Sequence, residues 1–417
     1  MSPVQVKRKT ALVLAGGGLA GAVYEIGALR AIDDLLVDRT VNDFDIYVGT
    51  SAGAFISSML ANGINPETML QVIEGSHPEL RPLRRTDLFN FNHRQLWQRS
   101  VQIPRKVTAA WLHYLRHIGD MSLFDFFFSL SEVLPTGVYD SLALEEYVRH
   151  NLRKVNRNNR FDGTDRDLFI IATDLDTGER AVFSAESGPD VPISVAVAAS
   201  SAVPVFYRPV RIGDHEYVDG GLRGTASLDL AIEQGASLVV CINPLVPFDN
   251  ATRDTIPFLG PDGGYLSEKG LQAIMAQATR IVLHAGLHYH IKQLRRAHPD
   301  VDIILIEPRP DDYQMFFYNI MRYSTRLKVA QHGFESVTLD LAEDYQGYKD
   351  TLARHGITIS RRRVIEELQQ IWLSDSDPEV VRHVLETRPS SNGRSAHGAV
   401  NELQTALADL EMLLGSD

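Results

Sequence analysis

The chain has very little cysteine and no long apolar run. Its 417 residues include one cysteine, Cys241, which excludes an internal disulfide framework and a cysteine metal cluster. No apolar run reaches the roughly 18 residues that a membrane-spanning helix needs, so the sequence predicts none. Cys241 lies in the apolar run 238–242 and is predicted to be a buried strand residue.

Positive charge is also scarce, except in one segment. The chain has 41 Lys and Arg against 53 Asp and Glu, a net charge of −12, which argues against a general nucleic-acid binder. Residues 81–117 instead carry eight basic residues and one acid, a net charge of +7 that leaves −19 for the rest. Aromatic residues interleave with these charges and continue through 123–130.

Two interpretations of this basic, aromatic region, residues 81–130, stay open. One is a helical cap that packs its aromatic residues on the core and leaves its basic face in water. The other is a peripheral membrane surface, where arginines attract anionic headgroups and aromatic rings lie at the interface.

The N-terminus superficially resembles a secretion signal. Lys7, Arg8 and Lys9 precede a short apolar run, but three glycines interrupt that run at once, which is not typical of a signal peptide. The expected location is therefore the cytoplasm, with contact to a membrane surface as an addition.

Short apolar strands alternate with helical patterns along most of the chain, which predicts an α/β fold with a mostly parallel sheet and helices on both faces. The helical patterns cover 18–37, 52–62, 266–296 and 311–350, and the strands are expected at 10–15, 45–48, 168–173, 180–184, 216–218, 238–242 and 301–306. A linker at 389–398 precedes a final apolar-periodic helix, 399–417, which is a candidate for packing on the body or on a second copy of the chain.

The sequence Gly49-Thr50-Ser51-Ala52-Gly53 matches the pattern G-x-S-x-G between a predicted strand and a predicted helix. A serine on that sharp turn projects from the sheet edge, and the two glycines avoid clashes in the bend. The helix that follows directs its positive end toward the serine. Ser51 is therefore the candidate nucleophile.

A glycine loop, Gly16-Gly17-Gly18, lies between the first strand and the first helix. Its exposed N–H groups suit a phosphate or the oxyanion of a tetrahedral intermediate. With Gly21 it also fits the dinucleotide fingerprint G-x-G-x-x-G, which expects an acid after a second strand. Asp38 has about the right spacing but follows no clear strand, and a dinucleotide site leaves Ser51 unexplained.

A third motif, Asp219-Gly220-Gly221, follows a predicted strand. A carboxylate on a turn that glycine permits points across a cleft, although Asp-Gly-Gly by itself is a common turn.

In this order the three motifs resemble those of the patatin-like phospholipase family, and so do three further blocks. The resemblance covers about 10–245, interrupted by 80–136, and the further blocks are 137–140, 171–179 and 196–204. It implies a three-layer α/β/α catalytic domain at 8–350 with a helical insert at 80–136, followed by a helical extension at 351–388.

The resemblance also implies a mechanism without metal or organic cofactor. Ser51 attacks an acyl ester of a phospholipid or related lipid, and Asp219 takes its proton directly. An acyl-enzyme forms and water releases the fatty acid. The N–H groups of Gly16, Gly17, Gly18 and Ala52 would form the oxyanion hole, and Gly49 and Gly53 would shape the nucleophile elbow.

The sequence departs from the family pattern in two places, at residue 20 and after the aspartate motif. Ala20 stands where the family usually carries Arg or Lys, which predicts a looser oxyanion loop and slower turnover. Thr225 and Ser227 replace the usual Asn and Pro after the aspartate motif. The alternative function is therefore a weakly active or non-catalytic lipid-binding module.

Histidines after Asp219 are the remaining candidates for chemistry. His284, His288 and His290 are candidates for the third member of a triad, and the first two share a helix face. No third metal ligand is evident beside them in the sequence, so surface or capping roles are expected.

Overall fold

The computed structural model describes residues 8–90, 136–154, 157–251, 264–311 and 323–387, together with Thr108 and Phe316. The strands are β1 (Lys9–Leu14), β2 (Ile46–Thr50), β3 (Gly137–Tyr139), β4 (Asp167–Asp174), β5 (Arg180–Phe183), β6 (Val205–Tyr207), β7 (Val210–Ile212), β8 (His215–Asp219), β9 (Ala236–Ile242) and β10 (Asp302–Ile306).

The helices fall between the strands and after the last one. They are α1 (Gly18–Leu35), α2 (Ala52–Ala61), α3 (Pro66–Glu74), α4 (Arg85–Leu88), α5 (Leu142–Leu152), α6 (Ile193–Ser200), α7 (Leu228–Glu233), α8 (Leu271–Ala297), α9 (Tyr323–Glu343), α10 (Tyr345–Ala353), α11 (Arg362–Leu373) and α12 (Pro378–Glu386).

The central sheet has eight strands in the order β10-β9-β1-β2-β4-β8-β7, with β5 also paired to β4. The five strands from β10 to β4 are parallel, whereas β5, β7 and β8 pair antiparallel. A separate parallel pair joins β3 and β6. The predicted α/β fold with a mostly parallel sheet is confirmed.

Alternating residues of the central strands supply two separate cores, because successive side chains of a strand point to opposite faces. In β1, Leu12 and Leu14 pack with α1 and α2, while Ala11 and Val13 pack with α7 and α8. All four are fully buried. This is the arrangement of a three-layer α/β/α fold. Cys241 is buried in β9, as predicted.

The short strands β3, β6 and β7 were not predicted from the sequence. Each has three residues, and at least two of the three are only partly buried or exposed. Such strands lack the long apolar run by which the central strands are recognised.

The helices after residue 350 pack on the first helix of the sheet domain. An isolated antiparallel bridge joins Leu36 to Ile359, and the N–H of Ser360 donates to the carbonyl of Leu35. Helix α10 runs across residue 350, where the sequence predicted the catalytic domain to end.

Several predicted segments lie outside the described residues. These are most of the insert predicted at 80–136, the linker at 389–398 and the helix at 399–417. Among the described helices, none combines the length and apolarity required to cross a bilayer.

Candidate active site

The candidate nucleophile and the candidate base reach the same level of the sheet from opposite directions. Strand β2 pairs parallel with β4, and its last residue, Thr50, lies opposite Ile171. Strand β8 pairs antiparallel with β4, and its last residue, Asp219, lies opposite Ala172. The next residue after β2 is Ser51, so the chain order of the strands places Ser51 and Asp219 on the same rim.

Ser51 forms the turn between β2 and α2. It has φ 54° and ψ −117°, a backbone conformation that is strained for a residue with a side chain. The turn is tight: a Cβ added at Gly49 would lie 2.5 Å from the Cα of Ala54, and one added at Gly53 would lie 2.2 Å from the carbonyl oxygen of Leu14. Glycine is therefore required on both sides of the serine, as the pattern predicted.

Asp219 is 6% exposed, and the side chain of Ser51 lies near enough to its carboxylate to lower the pKa of that group. The N–H of Gly221 donates to its Oδ1 at 2.7 Å. Burial raises the pKa of Asp219 to about 6, although the Ser51 side chain and the Gly221 N–H both act to lower it. The loss of hydration therefore outweighs these two groups.

The glycine loop lies directly beside Ser51. A Cβ added at Gly16 would be 3.4 Å from the Cβ of Ser51, and the N–H of Gly16 donates to the carbonyl of Thr225 at 3.1 Å. Gly18 has φ +60° and opens α1, while Ala52 opens α2. The N-termini of α1 and α2 therefore meet at this rim. Each N-terminus offers backbone N–H groups that have no partner within the helix, together with the positive end of the helix dipole.

Three hydroxyl groups hold the pair in place and were not identified as functional from the sequence. Ser200 Oγ accepts from the N–H of Ser51 at 2.8 Å and donates to the carbonyl of Ile171 at 2.5 Å. Ser201 Oγ donates to the carbonyl of Ser51, and Thr173 Oγ1 donates to that of Asp219. These residues belong to the sequence blocks 171–179 and 196–204, whose roles only the folded arrangement reveals.

The three candidate histidines do not complete a triad with Asp219. His284 and His288 pair with Glu307, and His290 lies 4.0 Å from Asp229. Within the described part of the chain, the groups that act on the Asp219 carboxylate are those of Ser51 and Gly221.

The dinucleotide interpretation is not supported by the topology. A dinucleotide site expects its acid at the end of the second strand, which here is β2, and the residue at that place is Ser51. Asp38 lies in the turn after α1, before β2 begins.

A buried serine thus lies on a strained strand-to-helix turn, beside a glycine loop and a buried carboxylate. The sequence model of the patatin-like phospholipase family matches residues 12–232, more than half of the 417-residue chain. The chain belongs to this family, and the resemblance noted in the sequence is confirmed.

Two viral proteins are similar to about half of the chain. A probable lipid hydrolase, 463L, of Invertebrate iridescent virus 6 is 22% identical over 222 residues, covering 53% of this chain and 63% of the relative. The uncharacterized protein R571 of Acanthamoeba polyphaga mimivirus is 24% identical over 223 residues, covering 53% and 60%. The chain thus matches somewhat less than two thirds of the length of these relatives.

Solved structures share a distant likeness. VipD from Legionella pneumophila aligns with a TM-score of 0.39 at 16% identity, covering 81% of this chain and 67% of VipD. The type III effector protein ExoU aligns with a TM-score of 0.23 at 17% identity, covering 88% and 65%.

Proposed function

We propose that this protein is a serine acyl hydrolase that cleaves fatty-acyl ester bonds of phospholipids or related lipids through Ser51 and Asp219. The observation that carries the proposal is the placement of Ser51, on its strained turn, beside a buried carboxylate on which its side chain acts and whose pKa is raised to about 6. Family membership and the similarity to a probable lipid hydrolase support it.

In the proposed reaction Ser51 Oγ attacks the ester carbonyl while Asp219 accepts the hydroxyl proton. The tetrahedral intermediate collapses to an acyl-enzyme, and the alcohol leaves with a proton from Asp219. Water then attacks the acyl-enzyme, again losing its proton to Asp219. The second tetrahedral intermediate breaks its bond to Ser51 Oγ, which takes that proton from Asp219 as the fatty acid is released. A base with a pKa near 6 is ionised at neutral pH and still has a useful affinity for a proton.

The oxyanion would be stabilised by backbone N–H groups beside Ser51. Gly17 and Gly18 at the start of α1 and Ala52 at the start of α2 are the proposed donors, with Gly16 as the residue that lets the loop lie against the serine. Removal of one such donor typically costs about 3–4 kcal/mol of transition-state stabilisation.

Exposed apolar side chains that lie close in the chain to Ser201 and to Asp219 favour an apolar acyl substrate. Val205 and Phe206 follow the segment that contacts Ser51, and Leu222 follows Asp219-Gly220-Gly221. Their exposed fractions in the described part of the chain are 75%, 58% and 60%. Large exposed hydrophobic residues at a site are typical of surfaces that bind apolar partners.

The decisive test compares two serine variants in hydrolysis of short p-nitrophenyl esters and in labelling by a fluorophosphonate probe. Ser51→Ala should lose labelling and reduce the rate on the order of 10⁴-fold or more. Ser58→Ala is the matched control, since Ser58 is buried in α2, the helix that follows Ser51, and its hydroxyl donates to the carbonyl of Phe55. Normal turnover by Ser51→Ala would contradict the proposal.

Ala20 favours a second candidate, a weakly active lipid-binding module. It lies in the first turn of α1, just after the glycine loop, where the family usually carries Arg or Lys. Binding to phosphatidylglycerol vesicles without fluorophosphonate labelling of the folded wild-type protein would favour this candidate over hydrolysis.

A further inference from the structure

Three potential metal ligands meet beside β10, the edge strand of the central sheet on the side away from β8. His284 and His288 project from one face of α8, one turn apart, and Glu307 follows β10 directly. Their ligand atoms all lie within 4.8 Å of one another, and they are the one such group of three found among the described residues. The sequence offered only the two histidines, since the third ligand is contributed by a strand end that folding brings to the helix.

The distances suit a small transition-metal ion. His284 Nε2 lies 3.4 Å from Glu307 Oε1, and His288 Nε2 lies 2.9 Å from Glu307 Oε2. Zinc binds imidazole nitrogen and carboxylate oxygen at about 2.0–2.2 Å in tetrahedral geometry, which separates two ligand atoms by about 3.3 Å. The side chains of His284 and Glu307 are 25% and 17% exposed, which leaves an open side for water as a fourth ligand.

A buried amide side chain also orients the Glu307 carboxylate. Asn243, which is fully buried at the end of β9, donates from Nδ2 to Glu307 Oε1 at 2.7 Å. This contact fixes Oε1 and turns Oε2 toward His288. A buried donor that orients a ligating carboxylate is a regular part of metal sites in proteins.

We propose that His284, His288 and Glu307 form a binding site for a zinc-class divalent ion, with Asn243 as the positioning residue. The site shares no residue with the Ser51–Asp219 pair and does not depend on the proposed hydrolase activity. It adjoins the glycine loop through Pro244, because a Cβ added at Gly17 would lie 2.5 Å from Pro244 Cγ. A bound ion would therefore tie α8 to the strand ends beside that loop.

The test is titration of the tag-free, chelator-treated full chain with Zn²⁺ by calorimetry and with Co²⁺ by visible absorption. Wild type should bind one equivalent of each ion and gain thermal stability with Zn²⁺, because a ligand of the folded state raises Tm. His284→Asn and Glu307→Gln should each weaken binding by at least about ten-fold, and Asn243→Ala should weaken it less.

His290→Asn is the matched control, since His290 lies on the same helix outside the cluster. It should bind both ions as wild type does. Circular dichroism without metal verifies that each variant is folded. Equal affinity in wild type, His284→Asn and Glu307→Gln would overturn the proposal, and so would the absence of wild-type binding below millimolar concentration.

Discussion

Among the described residues, two of the regions that bury carboxylates treat them in opposite ways. On the face of the sheet that α1 and α2 cover, Arg30 of α1 is fully buried and contacts the carboxylates of Asp34, Glu67 and Glu367. At the rim of the sheet, Asp219 is also buried, but the groups that act on its carboxylate are the side chain of Ser51 and the backbone N–H of Gly221.

The difference lies in what balances the charge. Arg30 also donates to the carbonyls of Val384, Leu385 and Thr387 at the end of α12, so the guanidinium fastens the last described helix to the first. The carboxylates around it have a cation at hand. Asp219 has none among its interacting groups, and its pKa rises to about 6. Paired charge here serves attachment, whereas unpaired charge retains basicity.

The largest effect is expected at the unpaired carboxylate. Asp219→Asn should reduce kcat/KM for p-nitrophenyl esters on the order of 10³–10⁴-fold, because the amide cannot accept the serine proton. In wild type, the base must be ionised, so kcat/KM should rise with pH and level off above a midpoint of about 6.

Ser58→Ala, measured over the same pH range, should reproduce the wild-type midpoint. A flat wild-type profile between pH 5 and 8, or an active Asp219→Asn protein, would show that this carboxylate is not the base.

Removal of the buried cation should instead affect stability. Arg30→Met removes the cation that contacts Glu67 and leaves Asp34 and Glu367 with Arg363 alone. Breaking a buried ion pair in this way costs about 3–5 kcal/mol. Urea denaturation should show this loss of the free energy of unfolding.

Glu67→Gln, added to Arg30→Met, should recover part of the loss, because one unpaired buried charge is then removed. A change below about 1 kcal/mol in Arg30→Met would mean that water or other groups compensate the cluster.

The sequence predicted the reactive rim better than the buried cluster, for a physical reason. Ser51, Asp219 and the glycines each follow a strand within a few residues, so local motifs and strand order suffice to place them at one edge. Glu67 and Glu367 are separated by 300 positions in the chain, and no local pattern shows that α3 and α11 meet at Arg30.

The same limit explains the histidine cluster and the supporting hydroxyls. The helical spacing of His284 and His288 is visible in the sequence, whereas Glu307 joins them only because β10 pairs beside β9. Ser200 reaches the N–H of Ser51 across 149 residues. The division into domains and the roles assigned to 80–136 and 399–417 stay predictions.

A smaller effect, on stability, should also distinguish Asp219 from a paired carboxylate. Its folded-state pKa of about 6 lies above the unfolded value of about 3.9, so the protonated form is favoured by folding. That contribution is present below about pH 4 and is lost as pH rises through 6. A gap of about two pKa units corresponds to about 2–3 kcal/mol.

Asp219→Asn cannot ionise at this position. Its free energy of unfolding should therefore rise relative to that of wild type by about 2–3 kcal/mol as the pH increases from 4 to 8. Urea unfolding at a series of pH values measures the difference between the two proteins. A difference that is constant with pH would mean that the pKa of Asp219 is not raised in the folded protein.

The smallest effect is expected for an ion pair that is exposed to water. Lys9 Nζ lies 2.9 Å from Asp167 Oδ2 at the start of two strands, with side chains 39% and 51% exposed. Water screens both charges, so Lys9→Ala should change the free energy of unfolding by less than about 0.5 kcal/mol. Added salt should reduce even that difference, because dissolved ions screen exposed charges and the screening length falls from about 10 Å at 0.1 M to about 3 Å at 1 M. A loss comparable to that of Arg30→Met would break the comparison, since burial would then not be what separates the two ion pairs.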